Sequence, residues 1–122
     1  MSYMQKQSMQ KNKRLIGAAY EKLATDSLTA KGYTIICNNY RCKVGEIDIV
    51  AKIQECIVFI EVKYRANSLY GFPREAVNYK KQQRIKLTAK CYLRQHEKYE
   101  VSCRFDVIEI LGDVLTHIEG AF

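Results

Sequence analysis

Asp48, Glu61 and Lys63 are residues whose types and spacing could do chemistry together. They lie on two segments rich in Ile, Val and Phe, residues 46–53 and 56–64, with only Gln54 and Glu55 between them. Two such runs around a two-residue break read as an antiparallel hairpin. A symmetric turn places Asp48 opposite Glu61 and Glu46 opposite Lys63, and strand alternation puts all four on one face. The other face, Ile47, Ile49, Ala51 and Ile53 with Cys56, Val58, Ile60 and Val62, is apolar throughout and reads as core. Carboxylates facing each other across strands repel unless a proton or a cation lies between them. A divalent ion there would supply a Lewis acid and an activated water. The ammonium of Lys63 could orient or deprotonate that water and offset charge in a phosphorane-like transition state. The competing reading is a sheet edge with Asp and Lys exposed. The register is open as well, because Gln-Glu is a poor two-residue turn and a one-residue slip would undo the pairing.

The elements that must position these residues can be read from periodicity. Residues 1–13 are polar and basic and are expected to be loosely ordered, leaving residues 14–122 as a single domain. Ile16, Ala19, Tyr20, Leu23, Ala24 and Leu28 recur with a helical period over residues 15–30, and the helix should end near Gly32. Residues 33–37 read as a strand followed by a polar turn at Asn38 and Asn39, and the hairpin comes next. Residues 65–73 form a loop with the single proline, and a long helix should run from about Arg74 to His96. Residues 103–111 and 114–118 read as strands around a turn at Gly112 and Asp113. The order αβββαββ predicts an α+β domain, sandwich-like, with a mixed sheet flanked by helices.

Composition narrows the class. The 122 residues are 48% hydrophobic and carry a net charge of +7, which suits one folded domain and argues against disorder. No apolar run approaches the length of a membrane span, and the basic N-terminus lacks the apolar stretch of a secretory signal. A cytoplasmic protein without membrane partners is expected. The five cysteines have no paired metal-ligand spacing and read as reduced packing thiols. Charge is uneven: residues 1–45 and 74–98 each sum to +6 around a −1 centre at 46–73. Basic flanks around an acidic centre suit a polyanion, although a solvated helix face would look alike. No glycine-rich phosphate loop, dinucleotide fingerprint or nucleophile elbow is present.

The spacing Asp48…Glu61-Val62-Lys63 resembles the D…E-x-K signature of the restriction-endonuclease-like, or PD-(D/E)xK, nucleases, whose core order is αβββαβ. The fuller wording resembles the bacterial YraN-like family. It comprises GAAYE from Gly17 to Glu21, NYR from Asn39 to Arg41, GEID from Gly45 to Asp48 and FIEVKYR from Phe59 to Arg65. It continues with YGFPREAV from Tyr70 to Val77, Lys81, RFDVI from Arg104 to Ile108 and HIEGAF from His117 to Phe122. The resemblance implies a restriction-endonuclease-like core in which Asp48, Glu61 and the carbonyl of Val62 hold Mg²⁺ or Mn²⁺ and Lys63 is the catalytic lysine. It implies that Glu21 completes the site, as a helical acid does in archaeal Holliday junction resolvases of this fold. Glu21 sits at the edge of the apolar stripe one turn after Gly17, whose missing side chain would admit another element; an edge glutamate in water is the plainer reading. Tyr20 departs from the small residue seen there in relatives and could narrow the entrance.

Lys81 falls in the middle of the apolar stripe of the second helix, Val77, Ile85, Thr88, Ala89 and Tyr92. It must snorkel outward or meet a buried acid or phosphate. In the second case it could hold a scissile phosphate, with Arg74, Lys80, Arg84, Lys86, Lys90 and Arg94 as backbone contacts or solvated charge. Asn39 and Arg41 could touch phosphate or cap the turn. Tyr64, Arg65, Tyr70 and Phe72 could stack on exposed bases, while Tyr70 and Phe72 would serve equally as core plugs. The expected function is metal-dependent hydrolysis of phosphodiesters in DNA, at branched or junction structures. The alternative is a catalytically silent nucleic-acid-binding module that assists a repair or processing complex. A protein-interaction scaffold is a third reading. DNA is not distinguished from RNA by these residues, and a homodimer would suit symmetric junctions.

Overall fold

The computed structural model describes residues 2–65 and 77–122. The order is α1 (Tyr3–Ala30), β1 (Thr34–Arg41), β2 (Glu46–Ile53), β3 (Cys56–Arg65), α2 (Tyr79–Gln95), β4 (Ser102–Leu111) and β5 (Val114–Ile118). This is the αβββαββ order expected of an α+β chain, and the strands form one five-stranded mixed sheet in sequence order. All neighbours are antiparallel except β3 and β4, which run parallel from Cys56–Ser102 to Arg65–Leu111. A parallel pair needs a long crossover, and α2 lies within it.

Two apolar layers sit on opposite faces of the sheet. Ile49, Ala51, Val58, Ile60, Ile108 and Ile110 pack with Ala24 and Leu28 of α1. Val50, Ile57, Phe59 and Val107 pack with Val77 and with Ile85, Ala89 and Tyr92 of α2. Strands buried on both faces explain the continuous apolar runs of β2 and β3.

The elements differ from the sequence expectation at their ends. α1 begins at Tyr3, well before Leu15, because a Ser2–Gln5 capping box closes its first turn. The first turns of α1 are exposed throughout. β1 continues through the turn expected at Asn38 and Asn39 and reaches Arg41. α2 starts at Tyr79 rather than near Arg74, because the Asn78 side chain accepts a hydrogen bond from the N–H of Lys81 and caps the helix. The hairpin does turn at Gln54 and Glu55, with Gln54 carrying the left-handed backbone at φ 51. Of the loop expected at 65–73, Arg65 instead ends β3, and the rest, with Tyr70 and Phe72, lies outside the described residues, as does the phosphate contact expected at Arg74.

Candidate active site

The site forms where regular pairing of β2 and β3 stops. The ladder runs from Ile53–Cys56 to Ile49–Ile60, in the register the symmetric turn implies, and Asp48 and Glu61 come next. There the backbones no longer pair: Asp48 Oδ2 instead accepts a hydrogen bond from the N–H of Val62 at 2.8 Å. The N–H and C=O of one strand residue leave from the same edge. The Val62 carbonyl therefore faces the same gap as its N–H.

β1 is irregular at the same level. Asn39 takes φ 54 between the pairs Asn38–Ile49 and Tyr40–Ile47. The faces exchange across this break: Ile49 belongs to the α1 layer, whereas Ile47 is buried in the α2 layer with Tyr40 against it. This corrects the expected apolar face running unbroken from Ile47 to Ile53. Strict alternation fails at Asp48, the residue that turns to the Val62 N–H.

Glu61 is buried on β3, and two ammonium groups meet it. Lys81 Nζ lies 2.7 Å from Glu61 Oε1, and Lys63 Nζ lies 3.6 Å from the same oxygen. Lys81 thus turns inward to the acidic centre instead of snorkelling. Glu21, half-buried on α1, accepts a hydrogen bond from the side-chain amide of Asn39 at 3.1 Å. Asn39 is a contact to Glu21 rather than a turn residue, and its left-handed backbone is what marks it.

The electrostatics follow from this crowding. Burial, then the charge of Glu61 and more weakly that of Glu21, pushes Asp48 up to about 7 against the pull of the Val62 N–H and Lys81. Burial and the neighbouring Lys81 lower the pKa of Lys63. Burial also opposes the charge of Lys81, but its hydrogen bonds, first to Glu61, hold its pKa above the usual lysine value. A carboxyl near 7 beside a depressed lysine is the kind of pair that active sites arrange.

A cavity of about 840 Å³ opens beside the acidic centre. Its walls include Arg41 and Glu46, which pair at 3.1 Å, together with Glu61, Lys80, Lys81 and Arg84. Arg41, Lys80, Lys81 and Arg84, all expected to contact nucleic acid, therefore share one concave surface. Arg65 does not line it: its Nε pairs with the buried Glu109 at 3.2 Å. Tyr64 is stacked on Tyr20 with ring centroids 4.4 Å apart, so these two rings serve each other. Among the described residues a Cβ at Gly17 would meet nothing within 4 Å, so none of them makes the close approach expected there.

The oxygens present suit a hard divalent cation. Among the described residues no three His, Cys, Asp or Glu side chains are gathered to hold a metal. Asp48, Glu61 and the Val62 carbonyl would hold one with water completing the shell, as Mg²⁺ prefers. An added positive charge would also relieve the repulsion that raises the pKa of Asp48.

Sequence reasoning missed a second polar centre. Asp106 of β4 is fully buried and accepts from Arg104 Nε and Nη2, each at 2.9 Å, from His117 Nε2 at 2.7 Å and from the N–H of Gly120 at 3.0 Å. The signal for it was an acid inside the apolar run from Phe105 to Ile110.

Comparison with known proteins places the chain. The family model described as "Uncharacterised protein family UPF0102" matches residues 20–110. A UPF0102 protein of Lachnoclostridium phytofermentans is 46% identical over 112 residues, covering 91% of this chain and 95% of that one. Another, from Thermodesulfovibrio yellowstonii, is 48% identical over 107 residues, covering 88% and 95%. A third, from Caldanaerobacter subterraneus subsp. tengcongensis, is 42% identical over 99 residues and 81% of each chain. These matches agree with the YraN-like wording, and the chain belongs to the UPF0102 family.

Proposed function

We propose that this protein is a divalent-metal-dependent nuclease that hydrolyses phosphodiester bonds in DNA, with branched or junction structures as the favoured substrates. The observation that carries this reading is Asp48, a carboxyl held near 7 beside buried Glu61, with two lysine ammonium groups at the same centre. A fold gains no stability from such crowding, so the arrangement needs another use.

Asp48, Glu61 and the Val62 carbonyl would hold Mg²⁺ or Mn²⁺, and Glu21 would add negative charge from α1. The cation supplies Lewis acidity and lowers the pKa of water when bound. Lys63, whose pKa is depressed, can accept the proton of an attacking water at Nζ or orient that water. Lys81, held charged by Glu61, can turn to a non-bridging phosphate oxygen. Arg41, Lys80 and Arg84 line the approach and can neutralise flanking phosphates. A homodimer that pairs two such sites belongs to the same proposal, and sedimentation in the presence of a four-way junction reads it.

Cleavage of four-way, flapped and linear DNA in Mg²⁺ or Mn²⁺ tests the proposal. Wild type should cut, and Asp48→Ala should lose cleavage while retaining DNA binding. Equal cleavage by both proteins would overturn it. One observation favours the silent-binder reading: Glu61 Oε1 is already met by Lys81 and Lys63, so cations of the chain itself stand at the acidic centre. On that reading the protein retains DNA with a steep salt dependence and turns over nothing in any metal.

A further inference from the structure

α1 outruns the sheet. Its second half packs through Ala24 and Leu28, which are fully buried, whereas every residue from Tyr3 to Ile16 is exposed. At about 1.5 Å per residue that free half projects roughly 20 Å. An unpacked helix of this length is marginal in water, and the Ser2–Gln5 capping box secures only its first turn. The free half carries Lys6, Lys11, Lys13 and Arg14, and no acid precedes Glu21.

Helix geometry decides where these charges point. With about 3.6 residues per turn, Lys6, Lys13 and Arg14 fall in one arc of roughly 100°, and Gly17, Glu21, Ala24 and Leu28 fall in the same arc. The side of α1 that meets the sheet at Ala24 and Leu28, and that holds Glu21 to Asn39 at 3.1 Å, therefore becomes basic once it passes the sheet. Arg14 stands about two turns beyond Glu21, and Lys6 about four. Gly17 lies between Arg14 and Glu21, and no described residue comes within 4 Å of a Cβ placed there. Glycine weakens a helix interior, and no contact among the described residues makes use of its missing side chain. The exposed apolar residues of the free half form no stripe. Met4 and Leu15 lie about 120° round the helix from Met9 and Ile16, and Tyr3 points away from both pairs. A membrane surface or a partner helix needs one apolar face, whereas a nucleic-acid backbone needs aligned positive charge.

We infer that the free half of α1 is an arm that lies along the DNA duplex flanking the acidic centre. Lys6, Lys13 and Arg14 neutralise phosphates of that flank, and Gly17 lets the backbone pass close to the helix beside Glu21. This role rests on the proposed nucleic-acid substrate and adds a requirement to it. At 3.4 Å per base pair the arm spans about six pairs, so the favoured substrate carries a duplex flank of at least that length.

Fluorescence anisotropy without metal tests the arm and needs no cleavage. The full chain is titrated with a labelled duplex of about 20 base pairs at about 50–200 mM salt. Replacing Lys6, Lys13 and Arg14 together with Gln, which favours helix nearly as well as Lys, should reduce the slope of log K against log salt by about 2.7, or about 0.9 for each contact. Gly17→Leu should bind several-fold more weakly with an unchanged slope. Lys22→Gln, outside the arc and paired with Asp26 at 3.0 Å, should leave affinity and slope as in wild type. An unchanged slope in the triple variant, with DNA retained by wild type, would overturn the arm and leave the nuclease reading standing. Wild type that retains no DNA would overturn both. Capture of wild type but not of the triple variant on phosphatidylglycerol vesicles, with equal DNA slopes, would overturn the arm in favour of a membrane surface.

Discussion

Asp48 and Asp106 are both carboxyl groups on the inner strands of one sheet, and their surroundings differ in kind. Asp106 is fully buried and completely answered: Arg104 grips it with two nitrogens, His117 and the Gly120 N–H fill its remaining positions, and Tyr33 braces Arg104 at 2.7 Å. Burial opposes its charge, but the hydrogen bonds from His117 and Arg104 prevail and lower its pKa. Asp48 accepts a hydrogen bond from the Val62 N–H, but burial, then the charges of Glu61 and Glu21, outweigh it and the nearby Lys81 and raise its pKa. A buried acid with its partners supplied is held ionised by the fold, whereas one whose burial and acidic neighbours outweigh its hydrogen bond and the nearby Lys81 is held toward its protonated form.

The contrast can be broken by experiment. Asp106→Asn should cost the most, about 3–5 kcal/mol, because it strands the Arg104 guanidinium among partners chosen for a carboxylate. Chemical denaturation reads this, and a loss under about 1 kcal/mol would mean that the two centres are alike. Saturating Mg²⁺ or Mn²⁺ should stabilise wild type by about 2.7 kcal/mol at a hundredfold excess over Kd, and should leave Asp48→Asn unmoved. Without metal at pH 8, Asp48→Asn should be more stable than wild type, on the order of 1–3 kcal/mol. The folded-state pKa of Asp48, about 7, lies above the ordinary 3.8, so its contribution is full below pH 3.8 and is lost as pH rises through about 7. Asp106 has the opposite sign: its contribution is present above 3.8 and is lost as pH falls through its lowered value. Thermal melts from pH 3 to 9 should therefore show both variants departing from wild type as pH rises, Asp48→Asn upward and Asp106→Asn downward. The smallest effect is expected for Lys81→Met, a reduction of about 0.9 in the slope of log K for DNA against log salt.

What could be read beforehand was local in sequence. The hairpin and the register of its paired part follow from a two-residue period around Gln54 and Glu55, whereas the meeting of Asp48 with Glu61 and Lys63 does not, because alternation fails at Asp48. Lys81 was marked by its place in an apolar stripe, although only packing decides that it turns to Glu61. The features that were not legible depend on distant segments meeting. Arg65 pairs with Glu109 because β3 and β4 lie side by side in parallel, and the Asp106 cluster needs His117 and Gly120 returned by β5. The exchange of faces between Ile47 and Ile49 has no sequence period to announce it, because it arises from a single left-handed residue in the neighbouring strand.

The parallel pairing of β3 with β4 has a consequence for how the molecule assembles. β1, β2 and β3 can find one another as a meander of sequence neighbours, but β4 must reach β3 across a long crossover, and such loop closure is slow. The acid pair therefore belongs to the early part of folding and Lys81 to the later part. Hydrogen-exchange labelling during refolding should protect the amides of Ile49 and Ile60 before those of Val107 and Ile108. During that interval the nascent sheet carries two facing carboxylates with no lysine from α2 to answer them, so acidic conditions should hasten its first collapse.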